Sequence, residues 1–245
     1  MRRVVWFSCG AASAVLSKLV LETYGHIDVH IVYCDVLSNE HPDNTRFLSD
    51  IERLLDHKIE LIRSEKFSTI EDVFEKTKYM SGIAGARCTL EMKRIPRAEY
   101  QEYGDLHYFG LLAEEERRIK RFEANNPSLQ LEWLLRDRNI KRNDCYRFLM
   151  EWGIKIPVMY DLGFNNNNCI GCVKAAGVAY WSLIYKHFPD IFKRRAEQSR
   201  KLGVRLLKIK GERRFLDELI PSFSEKDNEE IECGPICLRE YEHNE

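Results

Sequence analysis

Val4-Val5-Trp6-Phe7-Ser8-Cys9-Gly10-Ala11-Ala12-Ser13, running on into residues 14–23, is the stretch that decides the fold. Four apolar residues in a row, without alternation, suit a strand buried on both faces. The six small residues that follow suit a tight turn, and 14–23 reads as a helix. Strand, small-residue turn and helix in that order offer backbone N–H groups and a helix N-terminus to an anion. The turn alone is a weak signal: it lacks the Lys of a Walker loop and the spacing of a GxGxxG turn.

The same alternation continues outward. Strands are expected at 29–33, 59–62 and 106–109, and helices at 41–57, 69–77, 91–103 and 114–124, the third bent at Pro96. Strands alternating with helices predict an α/β fold with a doubly wound, mostly parallel sheet, whose ligands bind beyond the carboxyl ends of the strands. The loops at 8–13, 34–45 and 110–118 then share one rim. After residue 128 the pattern changes to helices and loops, with helices expected at 144–152, 177–188 and 189–202. This predicts an α/β core over 1–127 with its anion-binding turn on the strand rim. A helical, cysteine-bearing region follows over 128–245.

With 245 residues, the chain can bury a substantial core. Lys and Arg number 38 against 39 Asp and Glu, which argues against a globally basic nucleic-acid binder. Local charge is uneven: residues 193–214 hold ten basic against two acidic side chains, and 217–245 hold ten acidic against two basic. A charge run is usually a solvated face. No apolar span of membrane length occurs, so a cytoplasmic protein is expected.

The eight cysteines are Cys9, Cys34, Cys88, Cys145, Cys169, Cys172, Cys233 and Cys237. Cys34 and Cys145 sit in apolar or helical surroundings and read as buried, inert thiols. Cys169-Ile170-Gly171-Cys172 can point two thiolates at one metal, Cys88 lies in a Gly-rich loop at 82–89, and Cys233 and Cys237 add two more. Thiolates from separated segments suit structural zinc or an iron–sulfur cluster, and spacing does not choose between them.

Taken in order, these segments resemble the phosphoadenosine-phosphosulfate (PAPS) reductase family of the adenine-nucleotide alpha-hydrolase (PP-loop) superfamily. The resemblance rests on SCGAASAV (8–15), VYCDVLSNEHPDN (32–44), RCTLEMKRIP (87–96), FGLLAEEERR (109–118), MYDLGFNNNNCIGC (159–172) and IECGPIC (231–237). It implies an adenine nucleotide on the strand rim, held by Ser8, Cys9, Gly10, Ala11 and Ser13, with Asp35 and Gly110 bordering the adenosine. In cluster-containing members four cysteines hold a four-iron cluster, which here implies Cys88, Cys169, Cys172 and a tail cysteine, Cys233 or Cys237. Ala12 stands where the superfamily loop carries Asp, Arg87 and Thr89 flank Cys88 where a second cysteine is common, and no His follows Gly234.

Two enzyme readings follow. In the first, Cys233 or Cys237 attacks an adenylyl sulfate, Lys93, Arg94, Arg117 or Arg118 holds the sulfate, and a dithiol such as thioredoxin releases sulfite. The second is an ATP-dependent, nucleic-acid-modifying enzyme of the thiolation type, with 193–214 as its phosphate-binding surface. The missing loop carboxylate counts against ATP and magnesium, and the acidic 217–245 stretch counts against a long polyanion. A nucleotide-binding regulator with structural zinc is the non-catalytic alternative, and self-association is left open.

Overall fold

The computed structural model describes residues 1–222; Cys233, Cys237 and the acidic segment beyond lie outside the described residues. Five parallel strands make the central sheet: β1 (Arg3–Phe7), β2 (Val29–Cys34), β3 (Ile59–Ile62), β6 (Leu106–Phe109) and β7 (Gln130–Glu132). Their spatial order is β3-β2-β1-β6-β7. Between β3 and β6 lies a small antiparallel hairpin, β4 (Ser81–Gly82) with β5 (Gly85–Ala86). A second hairpin, β8 (Leu207–Ile209) with β9 (Glu212–Arg214), closes the described chain. The doubly wound α/β reading holds.

The uninterrupted apolar run of β1 is explained by burial on both faces. Val5 and Phe7 join the cluster beneath helix Ala11–Tyr24, and Val4 and Trp6 join a second cluster with Phe109, Phe122 and Trp133. Trp6 also donates its indole N–H to His107 Nδ1 at 3.2 Å. Burial pushes the His107 imidazole down to about 4, so it accepts as a neutral ring.

Four local readings are corrected. The first helix starts at Ala11, not at 14, so Ser13 lies inside its first turn. The expected 91–103 helix is a π-helical turn, Leu90–Arg94, running into Ile95–Tyr100, with Pro96 in the first turn, where a missing N–H costs nothing. The Gly-rich 82–89 loop contains the β4–β5 hairpin, followed by the turn Arg87–Thr89 that carries Cys88. The fifth strand, β7, pairs with β6 through Leu106↔Gln130, so the sheet runs past residue 127.

The C-terminal helices Arg142–Glu151, Val178–His187 and Pro189–Lys201 pack on the same apolar cluster as helix Ala11–Tyr24. Among the described residues no helix is long and apolar enough to cross a membrane.

Candidate functional site

Strand order reverses between the parallel neighbours β1 and β6, and at that point the loops after both strands leave an open crevice. Its walls include Ser8, Gly10–Ser13, Gly110–Leu112, Glu115, Arg118, Arg142 and Asn165–Asn168. The candidate phosphate loop therefore faces the helical region, as a rim site requires.

The loop is held from within. Ser13, 2% exposed, receives hydrogen bonds from Ser8 N and Ser8 Oγ (both 3.1 Å) and donates to Gly10 O (3.0 Å). Ser13 thus shapes the loop with its side chain and leaves its N–H to the helix end. Helix Ala11–Tyr24 has no acidic residue in its first turn, and its leading N–H groups have no intrahelical partners. Tyr160 OH accepts one of them, from Ala11 N at 3.3 Å. Cys9 takes the left-handed region at φ 53°, and its side chain is fully buried. Burial pushes the Cys9 thiol well up, so it is an unionised core group.

A buried polar chain ties this loop to the thiol segment. Asn167 Nδ2 donates to Cys9 O at 2.7 Å and to Asn44 Oδ1 at 2.8 Å. Asn44 Nδ2 donates in turn to Glu40 Oε2 (2.6 Å), which also accepts from Tyr33 OH (2.7 Å). Because a carbonyl cannot donate, the Cys9 contact fixes the Asn167 amide orientation and leaves its Oδ1 buried without a partner. The sequence shows Asn165–Asn168 only as a short polar run; their place in the cleft wall comes from chain path.

The cationic candidates separate. Arg118 lines the cleft and pairs with Glu115 (2.6 Å), while its neighbour Arg117 is exposed and outside the cleft wall. One step along a helix turns a side chain by about 100°, so only one of an adjacent pair can face the cleft. Lys93 is buried, at 8% exposure, and lies against the thiols instead. Arg94 lines neither site. Arg142, not expected from sequence, lines the cleft and donates to Asn165 O at 2.7 Å. Asp35 is also displaced from the expected rim site: it holds Arg63 at 2.7 Å and caps Leu37 N, in a neighbouring groove beyond β2 and β3. Cys145 lines the cleft, but burial pushes its thiol up to about 12, as it does for Cys34.

Cys88, Cys169 and Cys172 share the wall of one small apolar cavity with Thr89, Lys93 and Arg195. Their segments are separated by about 80 residues of chain. Gly171 sits at φ +68°, and a Cβ there would lie 2.9 Å from Ile191 Cγ2, so the CxxC turn needs glycine. The Thr89 hydroxyl in this wall is buried without a partner. Among the described residues no group of three or more His, Cys, Asp or Glu forms a metal-holding arrangement. The soft donors suit a thiolate-bound metal, but they are three where a closed site takes four.

No protein-family model matches the sequence, and no curated protein matches it either. Among solved structures the chain is similar to phosphoadenylyl-sulfate (PAPS) reductase from Candida auris, in its phosphate complex. The TM-score is 0.50 at 12% identity, over 69% of this chain and 81% of that one. The PAPS-reductase-like fold expected from the motifs is the fold observed.

Proposed function

We propose that the chain is a PAPS-reductase-like enzyme that binds an adenine sulfonucleotide in the β1/β6 cleft and reduces it through a cysteine thiolate. The observation that carries this reading is the cleft's own charge pattern. It presents a helix N-terminus, Arg118 and Arg142, and one carboxylate, Glu115, already engaged by Leu112 N (2.8 Å) and Arg118 (2.6 Å). No lining carboxylate is left over for magnesium, which favours an anion neutralised by arginine and backbone over magnesium-bound ATP. The unpartnered Asn167 Oδ1 offers an acceptor to a nucleoside hydroxyl or amino group.

In the reaction, a thiolate sulfur attacks the sulfate sulfur of adenylyl sulfate. The S–O bond to phosphorus breaks, AMP leaves with the electron pair, and S-sulfocysteine forms. A dithiol of the thioredoxin type then attacks the cysteine sulfur and expels sulfite. Its second thiol resolves the mixed disulfide, restores the cysteine thiolate and leaves the dithiol oxidised by two electrons. Cys9 and Cys145 are poor nucleophiles because burial raises both thiols. We assign the attack to Cys233 or Cys237, with Arg118 and Arg142 placed to hold the anionic groups.

Gly10 tests the site. A Cβ on it would stand 3.4 Å from Tyr160 OH, so valine's methyls enter the space a phosphate needs. Gly10→Val should abolish AMP binding in calorimetric titration and sulfite release from adenylyl sulfate, while the circular dichroism spectrum stays unchanged. Equal titration heats for the variant and the wild type would refute the site.

We further propose that Cys88, Cys169 and Cys172, which line one cavity but do not form a ligand set among the described residues, close on a metal centre, a four-iron cluster or zinc, with a tail cysteine as fourth ligand. A bound metal would tie the CxxC turn to the Arg87–Thr89 turn, and its binding energy would then count as folding energy. Cys172→Ser should lose most of the iron or zinc measured by elemental analysis and lower the melting temperature. Unchanged metal content in that variant would sink the assignment.

A further inference from the structure

We infer that the outer face of the β8–β9 ribbon is a docking surface for the phosphate backbone of duplex DNA. Of the ten cations in 193–214, Arg194, Arg195, Arg200 and Arg214 are in ion pairs. The other six, Lys193, Lys201, Arg205, Lys208, Lys210 and Arg213, are exposed and in no ion pair among the described residues. The acidic neighbours that should oppose a polyanion are partly spent. Asp217 pairs with Arg200 (2.8 Å), and Glu218 reaches Arg200 (3.5 Å) and Arg214 (3.7 Å).

The ribbon concentrates cations against local preference. Leu207 is buried, so strand alternation turns Lys208 outward, and the register sets Arg213 directly opposite Lys208. Like charges directly opposite destabilise a ribbon. Between the strands, Lys210 (φ 48°) and Gly211 (φ 89°) form a turn with positive φ at both central residues, where Asn or Gly is favoured over Lys. A merely solvated face would be more stable with Glu at 208 and Asn at 210.

Lys208, Lys210 and Arg213 are all exposed, and Arg213 also donates from Nη1 to Leu206 O at 3.3 Å. Opposed residues lie roughly 5 Å apart and alternate residues along a strand roughly 7 Å apart. A cation cluster on that scale suits duplex DNA, which carries one charge per about 1.7 Å of axis and gains from counterion release. The ribbon is also fastened near the thiols: Lys208 N donates to Ala176 O at 2.8 Å, in the segment that follows Cys172. The inference does not depend on the chemistry assigned to the cleft.

The test is fluorescence anisotropy of a labelled mixed-sequence DNA duplex with the full chain, over a range of salt. Binding should weaken linearly in log salt, by roughly 0.9 log units for each phosphate neutralised. Lys208→Gln/Lys210→Gln/Arg213→Gln should reduce that slope by about 2–3. Lys208→Glu should weaken DNA binding while the melting temperature holds or rises, because it replaces a like-charge pair with an opposite one. Three results would overturn the inference: no salt-dependent binding by wild type, an unchanged slope in the triple variant, or a preference for single-stranded RNA. Binding that needs Glu225→Gln/Asp227→Asn/Glu229→Gln/Glu230→Gln would assign the face to the chain's own acidic segment, and would overturn it too.

Discussion

Arg195→Ala is expected to lower the unfolding free energy by about 3 kcal/mol, the cost of breaking a buried ion pair by removing one partner. The Arg195 side chain is 2% exposed and ties its own helix to two other segments. Its Nε donates to Gly171 O in the CxxC turn (3.1 Å), Nη1 to Gln198 (2.6 Å) and Nη2 to Glu71 (3.0 Å). The estimate sits at the low end because the Glu71 side chain is 20% exposed and keeps Asn39 at 2.6 Å. A chain of this size should lose roughly 6–12 °C of melting temperature. Faster amide exchange at residues 171–173 should accompany the loss, since the turn loses its clamp. A change in urea midpoint worth less than about 1 kcal/mol would show that the clamp is not structural.

The same ion pair predicts a pH dependence. Burial pushes the Glu71 carboxyl up, but Arg195 and the Asn39 hydrogen bond outweigh it, so the net direction is down. A carboxyl depressed on folding adds stability above its unfolded pKa, and that stability is lost as pH falls through the folded value. Wild type should therefore lose this share in acid, and Arg195→Ala should show a flatter acid limb.

Gly110→Ala is the second large effect. A Cβ on Gly110 would lie 3.0 Å from Ser13 N, 3.1 Å from Ser13 Cα and 3.3 Å from Ala12 C. All three are backbone atoms in the first turn of helix Ala11–Tyr24, so no flexible side chain can move aside. Overpacking of this kind costs about 1–3 kcal/mol. The strain falls on the N–H groups that would meet a phosphate, so AMP affinity should drop by tenfold or more, about 1.4 kcal/mol. The discriminating measurement is stability and AMP affinity in the same variant. A variant that matches wild type in both would mean that the β6 rim tolerates a methyl group and that the close approach has no consequence.

Much of the fold was legible because its signals are local. The run Val4–Phe7 has no alternation because Val5 and Phe7 serve one apolar cluster while Val4 and Trp6 serve the other. The small residues 8–13 read as a tight turn, and Gly110 shows why: the two rims approach within a methyl's width. Strand β7 was missed because Gln130-Leu131-Glu132 has too little apolar content to stand out, and only pairing with β6 makes it a strand. The β8–β9 ribbon was hidden in a charge run for the same reason: Leu207 and Ile209 carry its whole alternation.

The sequence by itself determined the order of β1, β2, β3 and β6 and of the helices between them, the small-residue turn after β1 and the presence of thiols in separated segments. All of these depend on residues adjacent in the chain, where periodicity and turn chemistry act directly. Tertiary structure alone decided which side chains share a site. It placed Arg118 in the cleft and Arg117 in solvent, carried Lys93 to the thiols and Asp35 to another groove, and threaded Asn167 from the CxxC segment to the loop carbonyl of Cys9. Such choices depend on helix phase and on contacts between separated segments, 158 positions apart for Asn167 and Cys9, and no local pattern in a chain encodes them.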